Sequence, residues 1–184
     1  MRDEERYAIT LEYILASDKV DSILKIRPKY QMEQIKKNRP GTPAADFEFV
    51  LEKGIRSTLY NLNTPFTLIY FHNPGCSDCA RVKQVLGNSK TINRLLSYDK
   101  LTILALYPDD DLAAWEADGS RMPDHWLDAR AASPELKAEL YDLRATPSLY
   151  LLDKYKTVLL KDATPKRIEK MLRDRKSTRL NSSH

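Results

Sequence analysis

The chain contains two cysteines, Cys76 and Cys79, separated by two residues. Thiols at this spacing fit within one helical turn, where one thiolate can attack a disulfide and the other can resolve the mixed disulfide that forms. The same residues could instead form a static disulfide or, together with His72 and His125, a copper or zinc site. A closed zinc site requires four well-placed ligands, so redox exchange is the favoured interpretation.

The neighbouring segments place the cysteines between a strand and a helix. Residues 66–71 form an apolar, β-prone run that predicts a strand buried on both faces. Residues 80–86 have a helical pattern that Gly87 ends. Cys76 then lies at the helix N-terminus, where free N–H groups and the helix dipole stabilise a thiolate. The carboxylate of Asp78 opposes this effect, and we therefore predict a reducing pair.

A second apolar run, residues 101–107, completes a strand–helix–strand unit whose two strands are expected to pair in parallel through a right-handed crossover. The main domain is also predicted to contain a hairpin at 46–51 and 56–62, and short helices after Ser89 and after the loop at 108–111. A helix from Ser133 to about Tyr141 is followed by a strand in the segment 144–153, entered through its Thr-Pro bond, by a strand at 157–160 and by a final helix at 166–172. This order predicts an α/β fold with an extra N-terminal hairpin.

Residues 1–40 are predicted to be a helical lead-in, the remnant of a truncated helical domain. Apolar residues at helical spacing predict a first helix over 4–16. A second short helix is expected after a cap at Ser17–Asp18, and a third over 29–38 after Pro28. The proline- and glycine-rich segment 39–43 ends the lead-in, and we assign residues 41–173 to the main domain.

The composition, 42% apolar and 30% charged residues in a chain of 184, is typical of a globular protein. Residues 174–184 resemble a reading frame of a sequencing-library adapter, and they carry half of the net charge of +4. The basic residues are scattered among acids, which argues against a nucleic-acid partner. The chain shows no membrane span and no signal peptide, so anchoring in a membrane is expected only through a missing N-terminal segment.

From Pro43 to Leu172 the chain resembles the exported bacterial thioredoxin-like proteins that are related to cytochrome c maturation reductases and, more distantly, to peroxiredoxins. Four segments carry the resemblance: residues 45–47, residues 73–79 around the cysteines, residues 107–110, and residues 144–153 with their Thr-Pro pair. Residues 37–42 are similar to a subgroup with a preceding helical domain. The resemblance implies a thioredoxin-like α/β fold with an extra N-terminal β-hairpin, preceded by short helices.

The resemblance also implies roles for individual residues. Cys76 is expected to be the nucleophile and Cys79 the resolving thiol. Pro147 is expected to be a cis-proline facing them, with the Thr146 backbone pairing to an extended substrate. The residues expected to surround and tune the pair are Tyr70, His72, Pro74, Gly75, Ser77 and Asp78.

Two positions depart from the pattern of thioredoxins. Gly75 stands where a tryptophan usually precedes the first cysteine, and Tyr70 stands where many thioredoxins have a buried acid that deprotonates the second cysteine. The proton acceptor of the resolving step is therefore not identified by the resemblance. His72 is interpreted as a packing residue near the pair rather than a catalytic base.

The favoured function is a thiol–disulfide oxidoreductase that reduces protein disulfides in the periplasm or cell envelope. It would need no cofactor and no resident metal, and an upstream thiol reductant would restore the dithiol. The alternative is a non-catalytic or metallochaperone-like thioredoxin-fold module of a larger envelope protein. A peroxiredoxin is less favoured, because the Thr-x-x-Cys arrangement of its peroxidatic site is absent.

Overall fold

A computed structural model of the chain describes residues 3–109, 111–117 and 122–181. Asp110 of the predicted loop and residues 182–184 of the predicted tail lie outside this range. Seven strands form one mixed sheet in the order β2-β1-β5-β4-β3-β6-β7. Their bounds are β1 Glu48–Leu51, β2 Arg56–Thr58, β3 Phe66–Phe71, β4 Leu101–Tyr107, β5 Leu127–Ala131, β6 Ser148–Asp153 and β7 Val158–Leu160.

The centre of the sheet is the predicted strand–helix–strand unit. Strands β3 and β4 pair in parallel, and the connection between them contains the helices α3 (Ser77–Gly87) and α4 (Lys90–Ser97). On its other side β3 pairs antiparallel with β6, which in turn pairs with β7. Every residue of β3 is buried. This confirms the predicted bounds of β3 and β4 and their parallel pairing. The prediction succeeded because a short, continuous apolar run between turns is typical of a central strand that is buried on both faces.

The N-terminal hairpin is confirmed as an antiparallel pair of β1 and β2, but both strands are shorter than predicted. The side chain of Asp46 accepts hydrogen bonds from the N–H groups of Phe47 (2.9 Å) and Tyr60 (3.2 Å), so it belongs to a turn before β1. After β2 the chain enters the short helical turn Leu59–Asn61 instead of continuing as a strand.

Strand β5 was not predicted, and omitting it was wrong, since β5 joins the hairpin to the rest of the sheet. It pairs in parallel with β4 and antiparallel with β1. Its inward positions Ala129 and Ala131 are fully buried between these neighbours. Alanine has a low preference for strands, so the alternation along β5 is a weak signal in the sequence.

Two apolar clusters fill the two faces of the sheet. The cluster on one face includes Phe49, Ile69, Phe71, Tyr141 and Tyr150. The cluster on the other face includes Leu68, Tyr70, Cys79, Leu86 and Ile168, and it lies beneath α3, α4 and the helix α6 (Pro165–Asn181). One of the two cysteines is therefore part of the core.

The two helices predicted between β4 and β6 have different outcomes. The short helix after residues 108–111 is confirmed as α5 (Leu112–Ala117), with the Asp111 carboxylate accepting from the Ala114 N–H at 3.1 Å. The helix predicted from Ser133 to Tyr141 is wrong in length, because only Leu136–Leu140 form a single π-helical turn. Its end coincides with Tyr141, whose buried ring packs into the core.

The final helix was predicted too short. Helix α6 continues through Asn181, since residues 173–181 contain no proline or glycine that would end it.

The lead-in consists of two main helices, α1 (Asp3–Ala16) and α2 (Ile26–Lys36), which pack around Leu11, Met32 and Ile35. The helix predicted after Ser17–Asp18 is wrong: the chain forms only the short turn Ile23–Lys25. Helix α2 begins three residues before the predicted start. Within the described residues, no helix has both the length and the apolar character needed to cross a membrane.

Candidate active site: a dithiol at a helix N-terminus

A tight turn leads from β3 to the cysteines. The Cys76 N–H donates to the Asn73 carbonyl oxygen at 3.3 Å, and Gly75 has φ +69°. Proline at the second position and a positive φ at the third are the features of a type II turn. Pro74 and Gly75 occupy these two positions. The positive φ explains why glycine, rather than the tryptophan of thioredoxins, precedes Cys76.

The two cysteines have different exposures, as predicted. Cys76 is half-buried and caps helix α3, with its Sγ accepting from the Cys79 N–H at 3.1 Å. Cys79 lies in the first turn of α3 with only 3% of its surface exposed. The two sulfurs are joined in a disulfide. An incoming disulfide can therefore reach Cys76 but not Cys79.

The loop before β6 lies against the dithiol. The Cys76 Sγ is 3.9 Å from the carbonyl oxygen of Thr146, and the Thr146–Pro147 peptide bond is cis. These four residues, which are far apart in the sequence, are thus brought together at one end of the sheet. A carbonyl at this distance from the reactive sulfur is positioned to bind the backbone of a chain whose cysteine reacts with Cys76.

A cavity of about 240 Å³ lies beside the dithiol. Tyr70 is buried next to it, and its hydroxyl donates to the Cys79 carbonyl oxygen at 2.7 Å. The buried ring of His72 stacks on the ring of Tyr70, with 5.3 Å between centroids. Tyr70 therefore ties the end of β3 to the first turn of α3. The residues lining the cavity are Tyr70, His72, Asn73, Gly75, Cys76, Ser77, Cys79, Ala80, Lys83 and Met122.

The charged groups at the site belong to helix α3. Asp78 is exposed in its first turn and forms an ion pair with Arg81 at 2.5 Å. The Arg81 charge offsets part of the effect of Asp78 on a Cys76 thiolate. Lys83, which sequence reasoning missed, lines the cavity. The sequence could have indicated Lys83 through its position four residues after Cys79, because side chains four residues apart lie on the same face of a helix.

The residues required for a metal site do not come together. His72 lines the cavity beside the cysteines, whereas His125 is exposed in the segment before β5 and is not part of the lining. Within the described part of the chain, no three His, Cys, Asp or Glu side chains form a cluster that could hold a metal ion.

Comparisons with solved structures show which proteins the chain is similar to. A thioredoxin-like protein from Bacteroides caccae is 41% identical, with a TM-score of 0.88, over 93% of this chain and 62% of its own. The C-terminal domain of a Bacteroides fragilis protein is 42% identical, with a TM-score of 0.70, over 73% of this chain and 97% of that domain. The chain has a thioredoxin-like fold and is similar in sequence to these Bacteroides proteins.

The chain corresponds to only part of one of these proteins. The thioredoxin-like chain spans 62% of the length of the Bacteroides caccae protein. A thioredoxin domain of a thiol–disulfide oxidoreductase from Bacteroides vulgatus, at 21% identity and a TM-score of 0.60, has the same fold. No family model and no curated protein matches the chain.

Proposed function

We propose that this thioredoxin-like protein reduces disulfide bonds in other proteins through Cys76 and Cys79. The observation that carries the proposal is the asymmetry of the pair. Cys76 is accessible at the N-terminus of α3 and beside the Thr146 carbonyl, whereas Cys79 is buried one turn further on. A static disulfide needs neither an accessible sulfur nor a backbone acceptor next to it.

The proposed reaction is two successive thiol–disulfide exchanges. The Cys76 thiolate attacks one sulfur of the client disulfide, which forms a Cys76–client bond and releases the other client sulfur as a thiolate. Cys79 then gives up its proton, which the released client thiolate takes up directly or through water, and attacks the Cys76 sulfur, which releases the second client thiolate. Two electrons pass from the dithiol to the client, and the protein is left with the Cys76–Cys79 disulfide seen in the structure.

The reductive direction rests on the charge of Asp78, which disfavours a thiolate on Cys76 and so favours giving electrons away. Its ion pair with Arg81 weakens this effect without removing it, because both side chains are exposed to solvent. Equilibration with a glutathione redox buffer measures the reduction potential. A potential near that of strong oxidants contradicts the proposed direction.

The activity is tested by reduction of insulin disulfides with dithiothreitol as electron donor. The wild-type protein is expected to accelerate the reaction, and Cys76→Ser and Cys79→Ser are each expected to lower the rate to that of dithiothreitol alone. Wild-type protein with both thiols alkylated beforehand is the control. If the wild type accelerates nothing and binds copper stoichiometrically, the metallochaperone-like alternative replaces this proposal.

The partners and the compartment are also part of the proposal. The clients are proteins with disulfides, and an upstream thiol reductant returns the pair to its dithiol form. Family resemblance supports a site of action in the periplasm or cell envelope, where disulfides persist. Fractionation of the native host with an antibody against the protein tests the compartment, and recovery in the cytoplasm alone contradicts it.

A further inference from the structure

A cleft of about 700 Å³ separates the lead-in helices from the loop that precedes β6. Tyr7 of α1 and Ile35 of α2 form one wall. Ala145 and Tyr150 belong to the opposite wall, and Arg167 of α6 lies at the rim. The proposed exchange reaction makes no use of this cleft, which is nearly three times as large as the cavity beside the dithiol.

The wall formed by the lead-in is fixed to the main domain. The ammonium group of Lys161, just after β7, donates to the carbonyl oxygens of Gln34, Ile35 and Lys37 at 3.1, 3.0 and 2.8 Å. Asn38 donates to the Leu140 carbonyl oxygen at 2.8 Å. A helix C-terminus bound by a cation in this way is favoured by the helix dipole as well as by the hydrogen bonds. The cleft is therefore a built feature with a rigid wall.

The cleft begins where a client chain would lie. Its lining includes Ala145 and Ser148, the residues on either side of the Thr146–Pro147 pair. The Thr146 carbonyl oxygen is 3.9 Å from the Cys76 sulfur. Because an extended chain advances roughly 3.3 Å per residue, client residues about two or three positions from the reacting cysteine reach the cleft.

Of the three cationic side chains that line the cleft, one is available to bind a client carboxylate. Arg144 is held by Asp142 through two hydrogen bonds of 2.7 and 2.6 Å, and Asp162 accepts from the Ser148 hydroxyl at 3.2 Å. Lys161 is occupied with the end of α2. Arg167 is exposed at the rim, and no carboxylate of the described residues pairs with it.

We infer that this cleft binds the segment of the client polypeptide beside its reacting cysteine and prefers an acidic residue there, which pairs with Arg167. The inference rests on the proposed disulfide reduction and adds the class of client to it. Tyr7 is 43% exposed and gives the segment an aromatic contact, so the lead-in helices act as part of the client-binding surface.

The test uses short peptides whose single cysteine carries a chromogenic aromatic thiol in disulfide linkage. Attack by the Cys76 thiolate on the peptide sulfur breaks that disulfide and releases the aromatic thiolate, which is measured by its absorbance. One peptide has acidic and the other basic residues about two and three positions from the cysteine on either side, the positions that reach the cleft. A small aromatic disulfide, too short to reach the cleft, serves as the reference substrate. For each variant, the rate with a peptide is divided by the rate of the same variant with the reference disulfide.

Reduced wild-type protein is expected to prefer the acidic peptide about fourfold in kcat/KM, the size of effect that one exposed ion pair produces. Arg167→Glu is expected to abolish or invert the preference. Lys154→Glu makes the same change of charge at the far end of β6 and is expected to keep it.

Suppose that the reference disulfide is reduced. Equal rates for the two peptides, or a preference that survives Arg167→Glu, then overturn the inference but not the proposed function. Failure of the wild type to reduce the reference disulfide overturns the proposed function itself, and the inference with it.

Discussion

Tyr70 occupies the position at which many thioredoxins have a buried acid, and its role here is a different one. Its hydroxyl donates to the Cys79 carbonyl oxygen, and its ring packs between His72 and Trp126. The hydrogen bond holds the first turn of α3 against the end of β3, and the ring contacts fix the position of the Tyr70 side chain. We interpret Tyr70 as a residue that positions the resolving cysteine rather than one that accepts its proton.

Replacement of Tyr70 by phenylalanine tests this interpretation. The variant removes the side-chain hydrogen bond to the Cys79 carbonyl, and we expect the free energy of unfolding to fall by about 1 kcal/mol. Urea denaturation measures the change. Tyr98→Phe is the matched control, because Tyr98 is 67% exposed. Equal stability of the two variants would show that the Tyr70 hydrogen bond contributes nothing.

Asp142 makes stability depend on pH in the acid range. Burial raises the pKa of its carboxyl, but hydrogen bonds from Arg144 and the charges of Arg144 and Lys161 outweigh burial and hold the pKa below its usual value of 3.8. A carboxyl with a depressed pKa in the folded state contributes stability above its unfolded pKa and loses it as pH falls through the folded pKa.

We therefore expect Asp142→Asn to cost about 1 kcal/mol at pH 7 and nothing well below pH 3.8. Urea denaturation of both proteins at several pH values checks this. A difference between them that stays constant with pH is incompatible with the ion pair as its source.

At the scale of elements, the turn before α3 requires glycine at one position. Gly75 has φ +69°, a region that costs a residue with a side chain roughly 1–2 kcal/mol. Gly75→Ala is expected to lower the free energy of unfolding by about that amount. Gly87→Ala is the control at the last residue of α3, where a methyl group meets only Pro123 at 4.0 Å and alanine is favoured. Thermal unfolding that ranks Gly87→Ala as the less stable variant contradicts this account of the turn.

How much of the fold could be predicted varies from element to element. The bounds of β3 and β4 follow from continuous apolar runs, and the start of α4 follows from the cap at Ser89, whose hydroxyl accepts from the Ile92 N–H. Strand β5 could not be predicted in the same way. Its inward positions are alanines, and its strand conformation depends on pairing with β1 and β4, which are distant in the sequence.

At the scale of the whole molecule, one part of the candidate site could be predicted from the sequence and another part could not. Cys76, Cys79 and the Thr-Pro pair were predicted because they form recognisable local patterns. The cleft was not predicted, because its walls combine Tyr7, Ile35, Ala145 and Arg167, which no local pattern connects. Only the folded chain shows that the lead-in helices share a cleft with the loop that contains the Thr-Pro pair.

The central claim is that Cys76 is the nucleophile and Cys79 the buried resolving thiol. The most direct test is to incubate each reduced single-cysteine variant with a protein client that contains a disulfide and to identify the adducts by mass spectrometry under non-reducing conditions. Cys79→Ser is expected to accumulate a stable mixed disulfide at Cys76, because no resolving thiol remains. Cys76→Ser is expected to form almost none, because Cys79 is only 3% exposed. Adducts at Cys79 in comparable yield, or none in either variant, would contradict the account.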